Sequence, residues 1–259
     1  MPRSPPRTHP AVRGFDRSAV TYERARPDYP AAAIRHLGRV LPLGPGRTVV
    51  ELGSGTGKFT RALAPLGATR VAVEPTAGMR RVFERTVPEV PVLDGTAEAI
   101  PLPDAFADAV VCAQAFHWFR TVPALREIRR VLRPGGGLTL VWNTRTGTTG
   151  WTRRLNELLD RYRGHVPASR ERSWKAVFAS GRSGFTSLHQ RTVRHAQWGS
   201  PELFVDRVLS VSMIAVLPAA QQRSVAAEVR EILATDPGTR GRTRIRMPYE
   251  TEVFWCHRR

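Results

Sequence analysis

The sequence predicts a doubly wound α/β domain whose seven-stranded sheet is mostly parallel, with an antiparallel final pair. Three observations predict it. Short β-branched apolar runs alternate with helical stretches between residues 47 and 143, the pattern of parallel strands joined by crossover helices. A glycine-rich turn, Gly53-Ser54-Gly55-Thr56-Gly57, directly follows the first run. After Asn143 the alternation stops, and two longer strand segments flank a helical insert.

Taken in order, residues 1–14 are rich in Pro and Arg and read as a disordered tail. Residues 15–44 form a helical prelude, with a helix over 31–41 that Pro30 opens. Residues 45–145 are the βα core. It has strands at 48–52, 70–74, 90–93, 108–113 and 137–143 and helices at 58–66, 77–86 and 122–132. In the last helix Val122, Leu125, Ile128, Val131 and Leu132 fall on one face, and Arg133-Pro134-Gly135-Gly136 stops it, with glycine as a left-handed exit. Residues 146–259 carry helices at 151–163 and 172–180 and a strand at 185–198. Helices at 201–217 and 221–235 make the insert, a cap over 200–240, and a last strand at 243–256 is kinked at Pro248.

Composition narrows the class. The chain has 259 residues, 41 % hydrophobic and 24 % charged, which is ordinary globular usage and excludes collagen-like or coiled-coil architecture. The apolar stretch 205–218 is interrupted by Asp206 and Arg207 and is too short to span a bilayer. Residues 1–14 have no apolar core, so no secretory signal is expected there. Cys112 and Cys256 support neither a disulfide framework nor a zinc site, and a reducing cytoplasm is the expected compartment. The net charge of +18 invites a nucleic-acid reading. However, the only lysines are Lys58 and Lys175, the arginines are scattered, and no basic run reaches five. A diffusely basic surface with no specific nucleic acid and no membrane partner is the expectation.

The chemistry concentrates after the first strand. A glycine turn at a strand's carboxyl end lets a ligand approach the backbone. The dinucleotide pattern G-x-G-x-x-G fails, because the sixth position from Gly53 is Lys58; a P-loop fails because Phe59 follows Lys58. What remains is a G-x-G-x-G loop after an acidic residue. Glu74 stands about 20 residues further on, where a carboxylate accepts from both hydroxyls of an adenosyl ribose.

These segments resemble successive motifs of the class I S-adenosylmethionine-dependent methyltransferases, with their Rossmann-like fold. The motifs are Glu51-Leu-Gly-Ser-Gly-Thr-Gly57, Val-Ala-Val-Glu74-Pro, Asp94-Gly-Thr-Ala-Glu98-Ala-Ile-Pro-Leu-Pro-Asp104 and Leu132-Arg-Pro-Gly-Gly-Gly137. Phe15-Asp16, Tyr22, Ala25-Arg26-Pro27, Tyr29-Pro30, Ala113-Gln-Ala-Phe-His-Trp118 and the closing Met247-Pro248-Tyr249-Glu250-Thr251-Glu252-Val253 resemble its trans-aconitate methyltransferase-like, small-molecule branch. The resemblance implies S-adenosylmethionine as cofactor; the residue spacing suggests no metal. It implies that Glu51, Gly53 and Gly55 line the methionine part, that Glu74 holds the ribose, and that Thr96 and Ala97 flank the adenine. Gln114 then reaches the methionine end. Relatives often have Asp where Thr96 stands and after the His-Trp-Phe triplet, where this chain has Arg120.

A sulfonium is already a good leaving group, so such a site must align the nucleophile, exclude water and remove a proton only where one is present. His117 is the candidate base, or a wall of the cofactor pocket. Tyr22 and Arg26 form a candidate lid, Arg26 pairing an anionic substrate. Phe116, Trp118 and Trp142 are candidates for an apolar wall. The expected function is methyl transfer from S-adenosylmethionine to a small-molecule carboxylate or hydroxyl. The alternatives are an RNA methyltransferase and a cofactor-binding protein without turnover. Cys112 is expected to be buried and inert.

Overall fold

The structure is a computed structural model that describes residues 10–147, 150–162, 174–179, 181 and 183–259. Its strands are β1 (Thr48–Leu52), β2 (Thr69–Val73), β3 (Val92–Leu93), β4 (Ala107–Ala113), β5 (Leu132–Arg145), β6 (His189–Gly199) and β7 (Ile245–His257). The helices up to β5 are α1 (Pro10–Ala25), α2 (Ala31–Val40), α3 (Lys58–Ala62), α4 (Ala77–Thr86) and α5 (Thr121–Val131). Beyond it come α6 (Gly150–Asp160), α7 (Lys175–Ala179), α8 (Pro201–Leu209), α9 (Ser212–Ala215) and α10 (Ala219–Thr235). All seven strands join one sheet in the order β3-β2-β1-β4-β5-β7-β6. Pairing is parallel from β3 through β5. The chain runs outward from β1 to β3 and then returns to β4 on the other side of β1. That reversal is a switch point, and ligands of open α/β sheets bind beyond the strand ends there.

The chain divides into two compact units. The sheet unit comprises Asp28–Thr144, Pro167–Val193 and Glu250–Arg259. The central strands β1 and β4 are buried almost throughout, and successive residues pack on opposite faces, as the two-residue period of a strand dictates. Val50, Leu52, Val110 and Cys112 pack with Leu125, Ile128 and Val131 of α5 on one face. Val49, Ala109 and Val111 pack with Ile34 and Leu37 of α2 and Phe59 of α3 on the other. This is the doubly wound arrangement, with helices on both faces. The helical unit comprises Met1–Pro27, Arg145–Val166 and Arg194–Tyr249. Its core is built by Trp151, Leu155 and Leu158 of α6 with Phe204 and Val208 of α8, Val229 and Ile232 of α10, and Met247 and Tyr249 of β7.

Several boundaries differ from the sequence reading. Residues 1–9 of the expected tail lie outside the described residues, and positions 10–14 are helical, in α1. The helix expected over 58–66 ends at Ala62, and a 3-10 turn follows at Ala64–Leu66, because Pro65 has no N–H to continue the α ladder. In α5 the buried stripe is Ala124, Leu125, Ile128 and Val131, whereas Val122 is 58 % exposed. The stop after α5 is not a glycine exit: Leu132 is already extended at ψ 140° and begins β5. The helix expected over 151–163 ends at Asp160, and residue 163 lies outside the described residues. Of 172–180, Lys175–Ala179 is helical, while 172, 173 and 180 also lie outside. The strand expected from 185 begins at His189. The helix expected over 201–217 breaks at Ser210, giving α8 and α9.

Candidate functional site

In the sheet unit the loop after β1 meets the loop after β4, one on each side of the switch point. Gly53 turns at φ +66°, and a Cβ there would lie 2.7 Å from the Ala115 Cβ, so the close approach of the two loops requires glycine. The Gly53 N–H is tied to the Val73 carbonyl at 2.8 Å, anchoring the loop to β2. Gly55, at φ +57°, faces open space, with nothing within 4 Å of an added Cβ. A ligand can therefore reach its backbone.

Two carboxylates frame this loop. Glu51 lies on β1, 3 % exposed, and accepts a short hydrogen bond from the Thr60 hydroxyl of α3. Burial, assisted by the charge of Glu74, pushes its carboxyl up to about 8. A carboxyl held this way gains most from a cation placed beside it. Glu74 follows β2 and is buried. Its Oε2 accepts from Gly55 N–H at 2.9 Å and its Oε1 from Thr76 N–H at 2.9 Å. Each oxygen keeps a lone pair for a further donor. Burial raises its pKa, with the two backbone hydrogen bonds opposing. The sequence placed Glu74 inside the second strand; its position just beyond Val73 frees it to cap the glycine loop.

Polar atoms left unmet in the sheet unit bear on the fit of an adenosyl ligand. The hydroxyls of Ser54 and Thr96 are buried without a hydrogen-bond partner, and unmet buried polar atoms are rare in folded proteins. Thr96 precedes the buried Ala97 within the segment that follows β3. Polar atoms wanting partners and two buried carboxylates match a ligand that is cationic at one end and hydroxyl-bearing in the middle, so the residues fit S-adenosylmethionine.

At the end of β4, Gln114 holds φ +58°, an uncommon conformation for a residue with a side chain. Its Nε2 donates to the Asn143 carbonyl at 3.0 Å and its backbone N–H to Val141 at 2.8 Å. These bonds pin the turn that leads into Phe116–Trp118, a 3-10 segment. His117 and Trp118 are half-buried with rings 5.0 Å apart. The Trp142 indole N–H donates to His117 Nδ1 at 3.3 Å. In the neutral ring this leaves the proton on Nε2.

The aromatic wall is corrected in part. Phe116 is 1 % exposed and Trp142 0 %. Trp142 stacks on Trp174 at 5.1 Å, and Phe116 meets the same indole edge-on at 5.7 Å. Both are core residues; aromatic side chains carry the largest apolar area and are drawn inward. Only Trp118 stays half-exposed. Cys112 is buried and its thiol is pushed well up by burial. Arg120 is exposed, its N–H donating to Glu98 at 2.7 Å. Tyr22 and Arg26 belong to the helical unit: the Arg26 guanidinium lies over the Tyr22 ring at 4.6 Å and hydrogen-bonds Ser210. Sequence reasoning missed Ser54 and Thr60. Ser54 was legible as a hydroxyl flanked by two loop glycines, as Thr56 also is, whereas Thr60 carries no local signal because its contact depends on where α3 lies.

A family model described as a methyltransferase domain matches residues 50–140. An uncharacterised methyltransferase of Mycobacterium tuberculosis is 39 % identical, the match covering 92 % of this chain and 92 % of that protein. An uncharacterised methyltransferase-like protein of Schizosaccharomyces pombe is 35 % identical over 94 % of each. Among solved structures, YcgJ of Bacillus subtilis has a TM-score of 0.55 and 21 % identity, covering 88 % of this chain and 98 % of that one. A protein assigned as a type II methyltransferase from Anaeromyxobacter dehalogenans has a TM-score of 0.60 and 24 % identity, covering 90 % and 97 %. These structures share the fold.

Proposed function

The chain belongs to the S-adenosylmethionine-dependent methyltransferases, and from that premise we propose that its acceptor is a small molecule methylated on oxygen, with a carboxylate favoured over a hydroxyl. The reading follows the trans-aconitate methyltransferase-like branch. The observation that carries it is the bond from Trp142 N–H to His117 Nδ1. A general base needs a free lone pair aimed at the acceptor's proton. His117, with Nδ1 already accepting, carries its proton on Nε2 and can donate there. A donor suits an oxygen that is already anionic at neutral pH, as a carboxylate is.

When bound, the cofactor supplies an electrophilic methyl group on a sulfonium. Glu51 holds the ammonium of the methionine part, with Thr60 fixing the carboxylate's rotamer. Glu74, oriented by Gly55 and Thr76, takes the ribose hydroxyls. Ser54 and Thr96 complete the contacts, Thr96 with Ala97 flanking the adenine. Gln114 shapes the turn from which His117 and Trp118 face the acceptor, Trp118 excluding water.

The test supplies S-adenosylmethionine labelled in the methyl group together with pools of carboxylates and of phenols. Expected is label in a base-labile ester that releases methanol on hydrolysis. Label found only in base-stable ethers, amines or RNA would overturn the carboxylate reading.

A further inference from the structure

Arg80-Arg81 is one of the arginine pairs scattered along the chain, and its two members differ. Arg81 is exposed, whereas the Arg80 side chain is 18 % exposed. Side chains on a helix lean towards its N-terminus, so a long side chain near the start of α4 reaches back to the strand end that precedes the helix. Arg80 Nη1 donates to the Glu74 carbonyl at 2.7 Å and to Asp94 Oδ1 at 3.0 Å. One nitrogen thus joins the residue after β2 to the residue after β3. The two strand ends are packed closely here. Glu74 N–H donates to the Leu93 carbonyl at 3.0 Å, and a Cβ on Gly95 would lie 2.6 Å from Pro101 Cδ and 3.0 Å from Val73 Cγ1. Thr96 follows directly, its carbonyl accepting from Ala99 N–H at 3.2 Å.

The ordinary structural account is an ion pair that staples two loops. It fits Asp94, which is 47 % exposed, and such pairs contribute little to stability. It leaves the other bond unexplained. Arg80 holds the main chain of the very residue whose carboxylate Gly55 and Thr76 N–H groups hold. Burial raises the pKa of that carboxyl, the Gly55 and Thr76 bonds oppose the rise, and the Arg80 charge acts with them. Arg80 therefore fixes the place of Glu74 and favours its charged form as well.

We propose that Arg80 is a positioning residue for the adenosyl ligand: by bridging the Glu74 carbonyl and Asp94 it sets the spacing between Glu74 and Thr96. The proposal rests on the reading given above, in which Glu74 takes the ribose hydroxyls and Thr96 flanks the adenine. Arg80 itself touches no part of the ligand in this scheme. Two segments that must grip one rigid nucleoside are held at a fixed separation before it arrives, which lowers the cost of ordering them on binding.

The test measures calorimetric binding to the full chain of S-adenosylhomocysteine and of methylthioadenosine, which has the same nucleoside but no amino-acid part. Arg80→Met is expected to weaken both ligands by the same factor, about tenfold, the scale of coupling within one hydrogen-bond network. Arg80→Lys, whose ammonium can donate to both acceptors, is expected to recover most of that loss. In a Glu74→Ala background Arg80→Met is expected to cost less than about twofold, since the residue it positions has gone. Ligand-free Arg80→Met is expected to melt close to wild type. Should Arg80→Met fail to fold, Asp94→Asn, which weakens the far end of the bridge, is expected to weaken both ligands several-fold and equally. Undiminished affinity in folded Arg80→Met, with Glu74→Ala weakened, overturns the positioning role, whatever the melting temperature does. So does a loss larger for S-adenosylhomocysteine than for methylthioadenosine, or an Arg80→Met loss that is the same with and without Glu74. Glu74→Ala binding both ligands as well as wild type would instead overturn the ribose assignment, and the proposal with it.

Discussion

Replacing Glu51 with Gln tests whether its buried carboxyl is held for a cation. The folded protein keeps this group neutral up to about pH 8, whereas its ordinary value is 4.5. Between those values the unfolded chain carries the charge and the folded chain carries the proton. Stability from this group is therefore fully present below about pH 4.5 and is lost as pH rises towards 8. Each pH unit within the window corresponds to about 1.4 kcal/mol, so ligand-free wild type is expected to lose about 2 kcal/mol from this source between pH 6 and pH 8. Glu51→Gln stays neutral throughout, keeps the buried shape and removes that slope. Its affinity for S-adenosylmethionine is expected to move the other way. A charged Glu51 is needed against the ligand's cation, so wild-type affinity rises up to about tenfold per unit below pH 8, with release of a proton. The variant loses the charge-assisted bond, worth about 1.5–3 kcal/mol at pH 8.5. Urea unfolding at pH 6 and pH 8 reads the first effect. Calorimetry in two buffers of different ionisation enthalpy reads the second. Binding without proton release at pH 7, or undiminished affinity in Glu51→Gln, would refute the reasoning.

Glu74→Ala removes the acceptor of the Gly55 and Thr76 N–H groups as well as the proposed ribose contacts. S-adenosylhomocysteine affinity is expected to fall by at least about tenfold, one charge-assisted hydrogen bond or more, and unchanged affinity by titration would remove Glu74 from the cofactor site. His117→Gln keeps a donor but no imidazole; with a carboxylate acceptor, kcat is expected to fall less than about tenfold with an unaltered pH–rate profile. A loss of about 10²- to 10⁴-fold that recovers with rising pH would make His117 the base after all.

The fold was legible wherever punctuation is local. β1 and α4 match the sequence reading to the residue, because Gly53 follows the first and Pro75-Thr76 and Pro88 bracket the second. Pro65 was visible too, but a helical average over 58–66 concealed that one missing N–H divides it. Val122 was misjudged because its hydrophobicity fits the stripe by spacing, while burial is decided by how α5 lies on the sheet. Phe116 and Trp142 show the same limit: residue type indicates large apolar area, and only packing against Trp174 decides that the area is core rather than wall.

Long-range partners were beyond reach for a related reason. Arg26 could be singled out as a cation in the prelude, yet the serine that holds it lies 184 positions away, and nothing near Arg207 marks it as buried. The two regions nonetheless share a physical signature. Ser54 in the glycine loop, Thr96 in the segment after β3 and Arg207 Nη1 in the helical unit are buried polar atoms with no hydrogen-bond partner. Local sequence rules hold through most of this chain, and a folded protein tolerates such exceptions where function compensates for them. On that reasoning the unmet hydroxyls of Ser54 and Thr96 support the cofactor site we propose. Their place with Glu51, Glu74 and the glycine loop matches the demand of a cationic nucleoside, whose positive end gains most from a buried carboxylate.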